Sequence, residues 1–300
     1  MVLLKESDKK AFEEMTNIES RSLWQDAWRR FKRNKAAMTS LFILFIIILF
    51  VTIAPFLSPF AYDDSEFGFD NQPPDFESGH WFGTESLGRD LLVRVAMGGR
   101  ISILVGVAAA LVAVLFGTLY GAISGYMGGK IDALMMRALE ILNAFPFIFF
   151  VILLVTLFGN NLFLVFIAIG MVSWLDMARI VRGQTLSLKG KEFIEAAMVC
   201  GVPKRNIILK HIIPNVLGIV VVYASLLVPT MILFESFLSY LGLGTQEPDS
   251  SWGSLLNEGA KSMEVAPWNL LFPAGFLIVT LFCFNFIGDG LRDALDPKDR

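Results

Sequence analysis

Cysteine and histidine are scarce in this chain of 300 residues, which has two of each. Cys200 falls in a predicted loop and Cys283 in a predicted membrane span, so we expect no disulfide framework. His80 and His211 lie far apart in the sequence. No CxxC or HExxH motif is present, and we therefore expect the chain to hold no metal ion.

Charged residues are also few, at 18% of the chain against about 25% in soluble domains. Hydrophobic residues make up 55%, the mean hydropathy is +0.61, and Phe alone occurs 27 times. This composition is typical of an integral membrane protein. The apolar segments lack the strict alternation of barrel strands, and an open sheet cannot span lipid. The sequence thus predicts an all-α membrane protein.

Stretches without Asp, Glu, Lys or Arg locate the spans, because a helix that crosses a bilayer needs about 20 mostly apolar residues. The longest stretch, 141–175, is too long for one helix, and the turn residues at 159–161 divide it into spans near 138–158 and 162–181. Six transmembrane helices are predicted, with external loops at about 58–99 and 236–268. The other stretches cover 36–62, 101–129, 212–234 and 265–288.

The basic residues are distributed unevenly, with 21 of the 25 Lys and Arg on one side of the predicted spans. The positive-inside rule therefore puts both termini in the cytoplasm. The segment 1–35 is predicted to be cytoplasmic. Within it, residues 22–31 have apolar residues at helical spacing and basic residues opposite, which predicts an interfacial helix that contacts the lipid bilayer. No nucleic-acid partner is expected.

The sequence contains no recognisable catalytic or nucleotide-binding motif. Gly129-Lys130 is followed by Ile131, where a phosphate-binding loop needs Ser or Thr. No Ser/His/Asp grouping is present. We therefore expect a non-catalytic chain without a cofactor of its own, for which a gradient or another protein supplies energy. No charge lies at the middle of a predicted span, which argues against a proton- or ion-coupled carrier.

Glycines recur at four-residue spacing in the second predicted span, at Gly117, Gly121 and Gly125. Such a row lets another helix approach the backbone closely. Two interpretations remain open, namely packing within the bundle and a moving or subunit-facing surface. Pro146, Pro229 and Pro273 lie within predicted spans, where each removes a helical hydrogen bond and permits a kink.

The largest predicted cytoplasmic loop, at about 182–211, contains the sequence EFIEAAMVCGVPKR. Glu195 is followed by Ala196 and Ala197, and Gly201 comes four residues after Ala197. On a helix, Ala197 and Gly201 would share a face with almost no side-chain bulk, onto which a partner could pack closely. Pro203 suits the first turn of a following helix. The loop is predicted to form two short helices with a glycine bend between them.

This loop resembles the EAA loop of ATP-binding-cassette importer permeases, with His211 and Ile213 departing from the general pattern. The His-containing version is similar to the peptide-permease branch. Three further motifs resemble the second membrane subunit of oligopeptide permeases, and the resemblance covers most of residues 22–300. They are FGTESLGRDLL at 82–92, LSYLGLG at 238–244 with SWG at 251–253, and GDGLRDALDP at 288–297.

The resemblance implies a type I importer (MetI-like) permease fold for residues 36–300, in a bacterial inner membrane. It implies a heterodimer with a second, homologous permease subunit, two ATP-binding subunits below it and a periplasmic peptide-binding protein above it, with oligopeptides as substrate. It also implies that the loop docks on one ATPase. The residues expected at that contact are Glu195, Ala196, Ala197 and Gly201.

Other functions stay open at this point. A dipeptide, nickel or murein-peptide permease of the same family would have a similar build. A self-sufficient secondary carrier or channel would transport without ATPases, and a membrane-bound enzyme would need a catalytic cluster that the sequence does not provide. Peptide length, peptide preference and the residues that line the pathway cannot be read from one permease chain.

The charge asymmetry yields a test of orientation. A reporter that is active only in the periplasm, fused after Arg300, should remain silent because the C-terminus is predicted to be cytoplasmic. A reporter that is active only in the cytoplasm is the control and should give signal at the same position. The reverse pattern would contradict the orientation or the number of spans.

Overall fold

The computed structural model describes residues 23–66, 68–159 and 162–295, and most of these residues are helical. The only β-structure among them is one isolated bridge between Thr84 and Asp90. In chain order the helices are α1 (Leu23–Arg33), α2 (Lys35–Leu57), α3 (Leu91–Met127), α4 (Gly129–Asn143), α5 (Phe147–Phe158), α6 (Leu162–Lys189), α7 (Glu192–Val199), α8 (Lys204–Tyr240), α9 (Trp252–Ser262) and α10 (Trp268–Leu295). Helix α8 begins with a π-helical segment, Ile207–Ile212.

Four helices of the described residues are long and apolar enough to cross a membrane, namely α2, α3, α8 and α10. Helices α4 and α5 qualify as a fifth candidate if the pair counts as one broken span. The all-helical, multi-span prediction is therefore confirmed. The fourth predicted span, near 162–181, coincides with α6, which is 28 residues long, but the count of six stays a prediction.

The third predicted span, near 138–158, is not a single straight helix. Helix α4 ends at Asn143, Pro146 precedes the first residue of α5, and the two axes are bent by 73°. Proline lacks the backbone N–H that would continue the ladder of hydrogen bonds. Pro229 and Pro273, by contrast, lie inside the continuous helices α8 and α10.

The predicted external loop at 58–99 was too long, because α3 begins at Leu91. Asp90 caps the helix, and its Oδ1 accepts a hydrogen bond from the Val93 N–H at 2.9 Å. Arg94 and Arg100, which had marked the loop, lie on the helix. The loop predicted at 236–268 is also partly helical, since α8 continues to Tyr240 and α9 lies within it.

The glycine row of α3 packs against α6 within the same chain. A Cβ at Gly121 would lie 2.4 Å from the Ala178 carbonyl oxygen and 2.9 Å from the Arg182 nitrogen. Gly117 and Gly125 meet α6 at similarly short distances, 2.6 Å and 2.8 Å at the nearest atoms. Of the two interpretations of this row, packing within the bundle is therefore the one that the structure supports.

Helix α1 matches the helix that was predicted at 22–31, and residues 1–22 lie outside the described residues. Ala27 and Phe31 are buried against Ala37 of α2 and Ala294 of α10. Trp28 is exposed, and the Lys32 ammonium lies 5.0 Å from the centre of its ring. One face of α1 thus rests on the bundle and the other is free to contact a lipid headgroup layer.

The contact between α3 and α6 predicts a steric effect at Gly121. Gly121→Ala should lower the free energy of unfolding of the purified subunit by about 1–3 kcal/mol. The new methyl group would overlap backbone atoms of α6, which cannot move away without the helix. Gly183→Ala on α6 is the matched control, since its added Cβ would meet nothing within 4 Å. Equal unfolding midpoints for the two variants would contradict the close contact.

Candidate functional site

The EAA motif lies on α7, an eight-residue helix. Glu192 and Glu195 occupy its first turn, where negative charge interacts favourably with the helix dipole. The helix ends in a Schellman arrangement, in which the Gly201 N–H donates to the Met198 carbonyl and the Val202 N–H donates to the Ala197 carbonyl, at 3.0 and 3.1 Å. Gly201 makes this ending possible because its φ is +71°.

The inner face of α7 is apolar and packs against the bundle. Ile194 is fully buried and Ala197 is 9% exposed. Helix α7 contacts α6 and the π-helical segment of α8. Both residues belong to a cluster that also contains residues of α3, α6 and α8. Its other buried members are Ala122, Tyr126, Met177, Val181, Ile207, Ile208, Ile212, Val216 and Val220.

The outer face of α7 is exposed and combines an acid with apolar groups. Glu195 and Ala196 are both exposed, and beside them Phe193 and Val199 are 43% and 88% exposed. Large apolar side chains at the tip of a solvated loop are uncommon unless they contact another surface. This outer face, formed by Phe193, Glu195, Ala196 and Val199, is the candidate docking face.

The expectation that Ala197 and Gly201 share an open helix face is wrong. Ala197 points into the chain's own core, one turn after Ile194, because residues three apart lie on the same side of a helix. Gly201 is exposed, but it lies two residues beyond the last helical residue and shapes the turn. Of the four predicted contact residues, the structure brings only Glu195 and Ala196 together on the surface.

A polar cluster at the opposite end of α3 was not foreseen. Arg94 is completely buried, and its Nη2 donates to both Glu258 carboxylate oxygens at 3.3 and 3.2 Å, while its Nε lies 3.3 Å from Glu85 Oε2. Arg89 pairs with Glu85 and, at 2.9 Å, with Glu247. This Arg94 cluster ties the loop before α3 to α9 and to the segment that precedes α9.

Burial has a visible electrostatic effect in the Arg94 cluster. It raises the pKa of Glu258 to about 7, with the Glu85 carboxyl adding to the rise and the Arg94 charge opposing it. The pKa of Glu247, which is more exposed, is lowered by its hydrogen bond from Arg89. The acids of this cluster are thus engaged by arginines, and the described residues include no group of three or more His, Cys, Asp or Glu placed to hold a metal ion.

Glu235 of α8 is a further buried acid near this end. It is fully buried and accepts hydrogen bonds from Ser102 and Ser239, each at 2.7 Å. Ser102 also accepts a hydrogen bond from the Trp252 N–H at the start of α9, at 3.2 Å. In the sequence, Glu235 is visible only as the charged residue that follows the charge-free stretch 212–234. The signal in the sequence was Ser236 and Ser239, whose hydroxyl groups could donate hydrogen bonds to a buried carboxylate at position 235 in place of water.

Comparisons with known proteins bear on residues 22–74 and 113–300. Residues 113–300 match the family model described as "Binding-protein-dependent transport system inner membrane component". Residues 22–74 match the model described as "N-terminal TM domain of oligopeptide transport permease C". The first match includes α7 and the two helices that α7 contacts, α6 and α8.

Full-length relatives give the same result. The chain is 74% identical to the oligopeptide transport system permease protein OppC of Escherichia coli K12, over 96% of both chains. It is 47% identical to the oligopeptide transport system permease protein OppC of Bacillus subtilis, over 96% of this chain and 93% of that one. It is 45% identical to the dipeptide transport system permease protein DppC of Bacillus subtilis, over 94% and 88%.

The same substitution on the two faces of α7 should have effects of different size on the free energy of unfolding. Ala197→Leu should destabilise the subunit by about 1–3 kcal/mol, because it adds three carbons inside a packed core. Ala196→Leu should change stability by less than about 0.5 kcal/mol, because position 196 is exposed. Thermal unfolding of both purified variants is the measurement. A larger loss in Ala196→Leu would contradict the orientation of α7.

Proposed function

The chain belongs to the family of binding-protein-dependent transport system inner membrane components, the permeases of ATP-binding-cassette importers, and we propose that it carries oligopeptides into the cell. The observation that supports this substrate most strongly is the 74% identity to the oligopeptide permease of Escherichia coli, over 96% of both chains. The chain is a multi-pass inner membrane protein and a transport component rather than an enzyme.

Membership of this family implies a second membrane subunit and ATPase partners. We propose that the assembly contains a second, homologous permease subunit, two ATP-binding subunits and a periplasmic peptide-binding protein. The lack of a phosphate-binding loop supports the further proposal that this chain binds no nucleotide or other cofactor itself. ATP is then hydrolysed only by the partner subunits.

We also propose that the chain has six spans, with α6 as the fourth in chain order, and that both termini are cytoplasmic. The supporting observation is the excess of Lys and Arg on one side of the spans. In this orientation α7 faces the cytoplasm and the Arg94 cluster faces the periplasm. The division into a cytoplasmic segment, 1–35, and a permease domain, 36–300, is part of this proposal.

The proposed coupling site is the docking face of α7. Glu195 and Ala196 would contact an ATPase, while Ala197 supports the helix from inside and Gly201 sets the turn that follows it. Ala196 leaves room for a partner to pack near the helix backbone, and Phe193 and Val199 supply exposed apolar area. The buried Ile194 and Ala197 would pass a displacement of α7 to α3, α6 and α8.

A dipeptide importer is the second candidate, and the observation that favours it is the 45% identity to the dipeptide permease of Bacillus subtilis. The lower identity ranks it second.

The test is uptake of labelled peptides by the assembled complex in proteoliposomes, with peptides of two to five residues in competition. Uptake of tetra- and pentapeptides that depends on ATP and on the binding protein would support the proposal. Uptake of dipeptides alone would contradict it.

Coupling through α7 predicts a distinct transport defect for Ala196→Leu. The subunit should assemble normally, but peptide uptake should fall by one to two orders of magnitude, because overpacking a contact costs about 1–3 kcal/mol and roughly 1.4 kcal/mol is tenfold. Glu195→Ala should reduce uptake less, since it removes one exposed charge. Peptide uptake and peptide-stimulated ATPase activity of the assembled complex are the measurements.

Ser187→Leu provides the matched control for this defect, because it adds the same kind of bulk at an exposed position on α6, outside the docking face. It should leave uptake near the wild-type rate. Normal uptake by Ala196→Leu at normal membrane levels would mean that α7 is only a connector.

A further inference from the structure

Helix α4 is held to the bundle by few groups. Asp132 and Leu139 are its only buried residues among those that the structure describes. Leu139 packs near the α5 end against Leu175 and Ala178 of α6. Midway, the Met135 carbonyl accepts a hydrogen bond from the Tyr120 hydroxyl at 2.8 Å. At the other end, α4 is connected to α3 through Gly128, and Asp132 is its only buried side chain there among the described residues.

Asp132 receives three hydrogen bonds from two other helices. Arg182 of α6 donates through Nε to Oδ1 and through Nη2 to Oδ2, both at 2.6 Å. Ser124 of α3 donates to Oδ1 at 2.5 Å. Bidentate arginine–carboxylate pairs are among the strongest and most directional contacts in proteins. The Asp132 side chain is 12% exposed, so water weakens this pair less than it would a surface pair.

Arg182 belongs to the packed unit on which α7 is seated. Its backbone nitrogen and carbonyl lie against Gly121 and Gly125 of α3. One residue earlier, Val181 is a member of the same core cluster as Ile194 and Ala197 of α7. Helix α6 then ends at Lys189, three residues before α7 begins. A displacement of α7 therefore reaches Arg182 through packed contacts and a short connection.

We propose that the Asp132–Arg182 pair positions α4, and with it the bent α4–α5 segment, relative to the packed unit that moves with α7. This inference rests on the proposed function, in which α7 is displaced by ATPase closure. Asp132 and Arg182 are positioning residues, because they hold the bent segment in place and do not belong to the docking face of α7. Loss of the pair should uncouple ATP hydrolysis from transport, so that ATP is hydrolysed with less peptide imported, while the subunit still assembles.

The test uses the complete complex in proteoliposomes and measures the ATP hydrolysed per peptide imported. Asp132→Asn and Arg182→Gln should each raise this ratio about tenfold, the equivalent of about 1.4 kcal/mol, at wild-type levels of assembled complex. The double variant should be no worse than the poorer single variant, because both changes remove the same contact. If the double variant raised the ratio by the product of the two single effects, the two residues would act independently and the proposal would be overturned.

Glu140→Gln is the matched control on the same helix. Glu140 accepts a hydrogen bond from Arg137 at 2.8 Å, but both side chains are more than half exposed. This variant should keep the wild-type ratio. A wild-type ratio in Asp132→Asn would overturn the proposal, and so would its failure to assemble, since the pair would then be a folding anchor only. A wild-type complex that imports no peptide would count against the proposed function instead.

A second measurement does not depend on the substrate. Spin labels at Leu134→Cys on α4 and Phe282→Cys on α10, both exposed positions, report the distance between these helices in a complex whose native cysteines are replaced. Addition of ATP should change this distance in the otherwise wild-type complex, and Asp132→Asn should abolish most of the change. An ATP-independent distance in the first complex, or an equal change in both, would overturn the proposal.

Discussion

The close packing of α3 against α6 is the contact on which the rest of the structure depends. Lipid tails are as apolar as leucine, so helices in a membrane associate through tight packing rather than by hiding apolar surface from water. Gly117, Gly121 and Gly125 provide that packing, because each would place a Cβ less than 3 Å from atoms of α6. The two helices act as a frame. One end of α3 carries Arg94, and the other end carries the residues that seat α7.

The sequence predicted an all-helical, multi-span protein correctly, but the helices extend beyond the charge-free stretches. Counting charge-free stretches assumes that a charged side chain belongs in water. Arg94 breaks that assumption, because Glu85 and Glu258 neutralise it inside the protein. Arg100 breaks it differently, since its guanidinium donates to the backbone carbonyls of Val51 and Thr52, both at 2.5 Å. Glu258, Val51 and Thr52 are distant in sequence from these arginines. The local signal for the start of α3 was Asp90, a common helix-capping residue directly before Leu91.

The cytoplasmic loop shows which errors were avoidable. Ile194 and Ala197 are three residues apart, and a buried isoleucine at that spacing already indicated which side of α7 faces inward. Glycine just past a helix is a common ending, so Gly201 could have been interpreted as a cap. The Asp132–Arg182 pair was out of reach, because the two residues are 50 positions apart and each is unremarkable alone. Pairing of that kind is decided by which helices pack together.

The contacts of α7 and of α4 differ in what they can transmit. Helix α7 is joined to the bundle by apolar side chains, and the hydrophobic effect that favours their burial is non-directional. Helix α4 is joined by hydrogen bonds to a carboxylate, which hold only within a narrow range of distance and direction. In the coupling proposed above, a push on α7 could enter the α3–α6 frame from a range of angles. The Asp132–Arg182 pair would then restrict the movement of α4 to directions that keep its hydrogen bonds. On this proposal, the bent α4–α5 segment receives a defined displacement even when the docking contact varies.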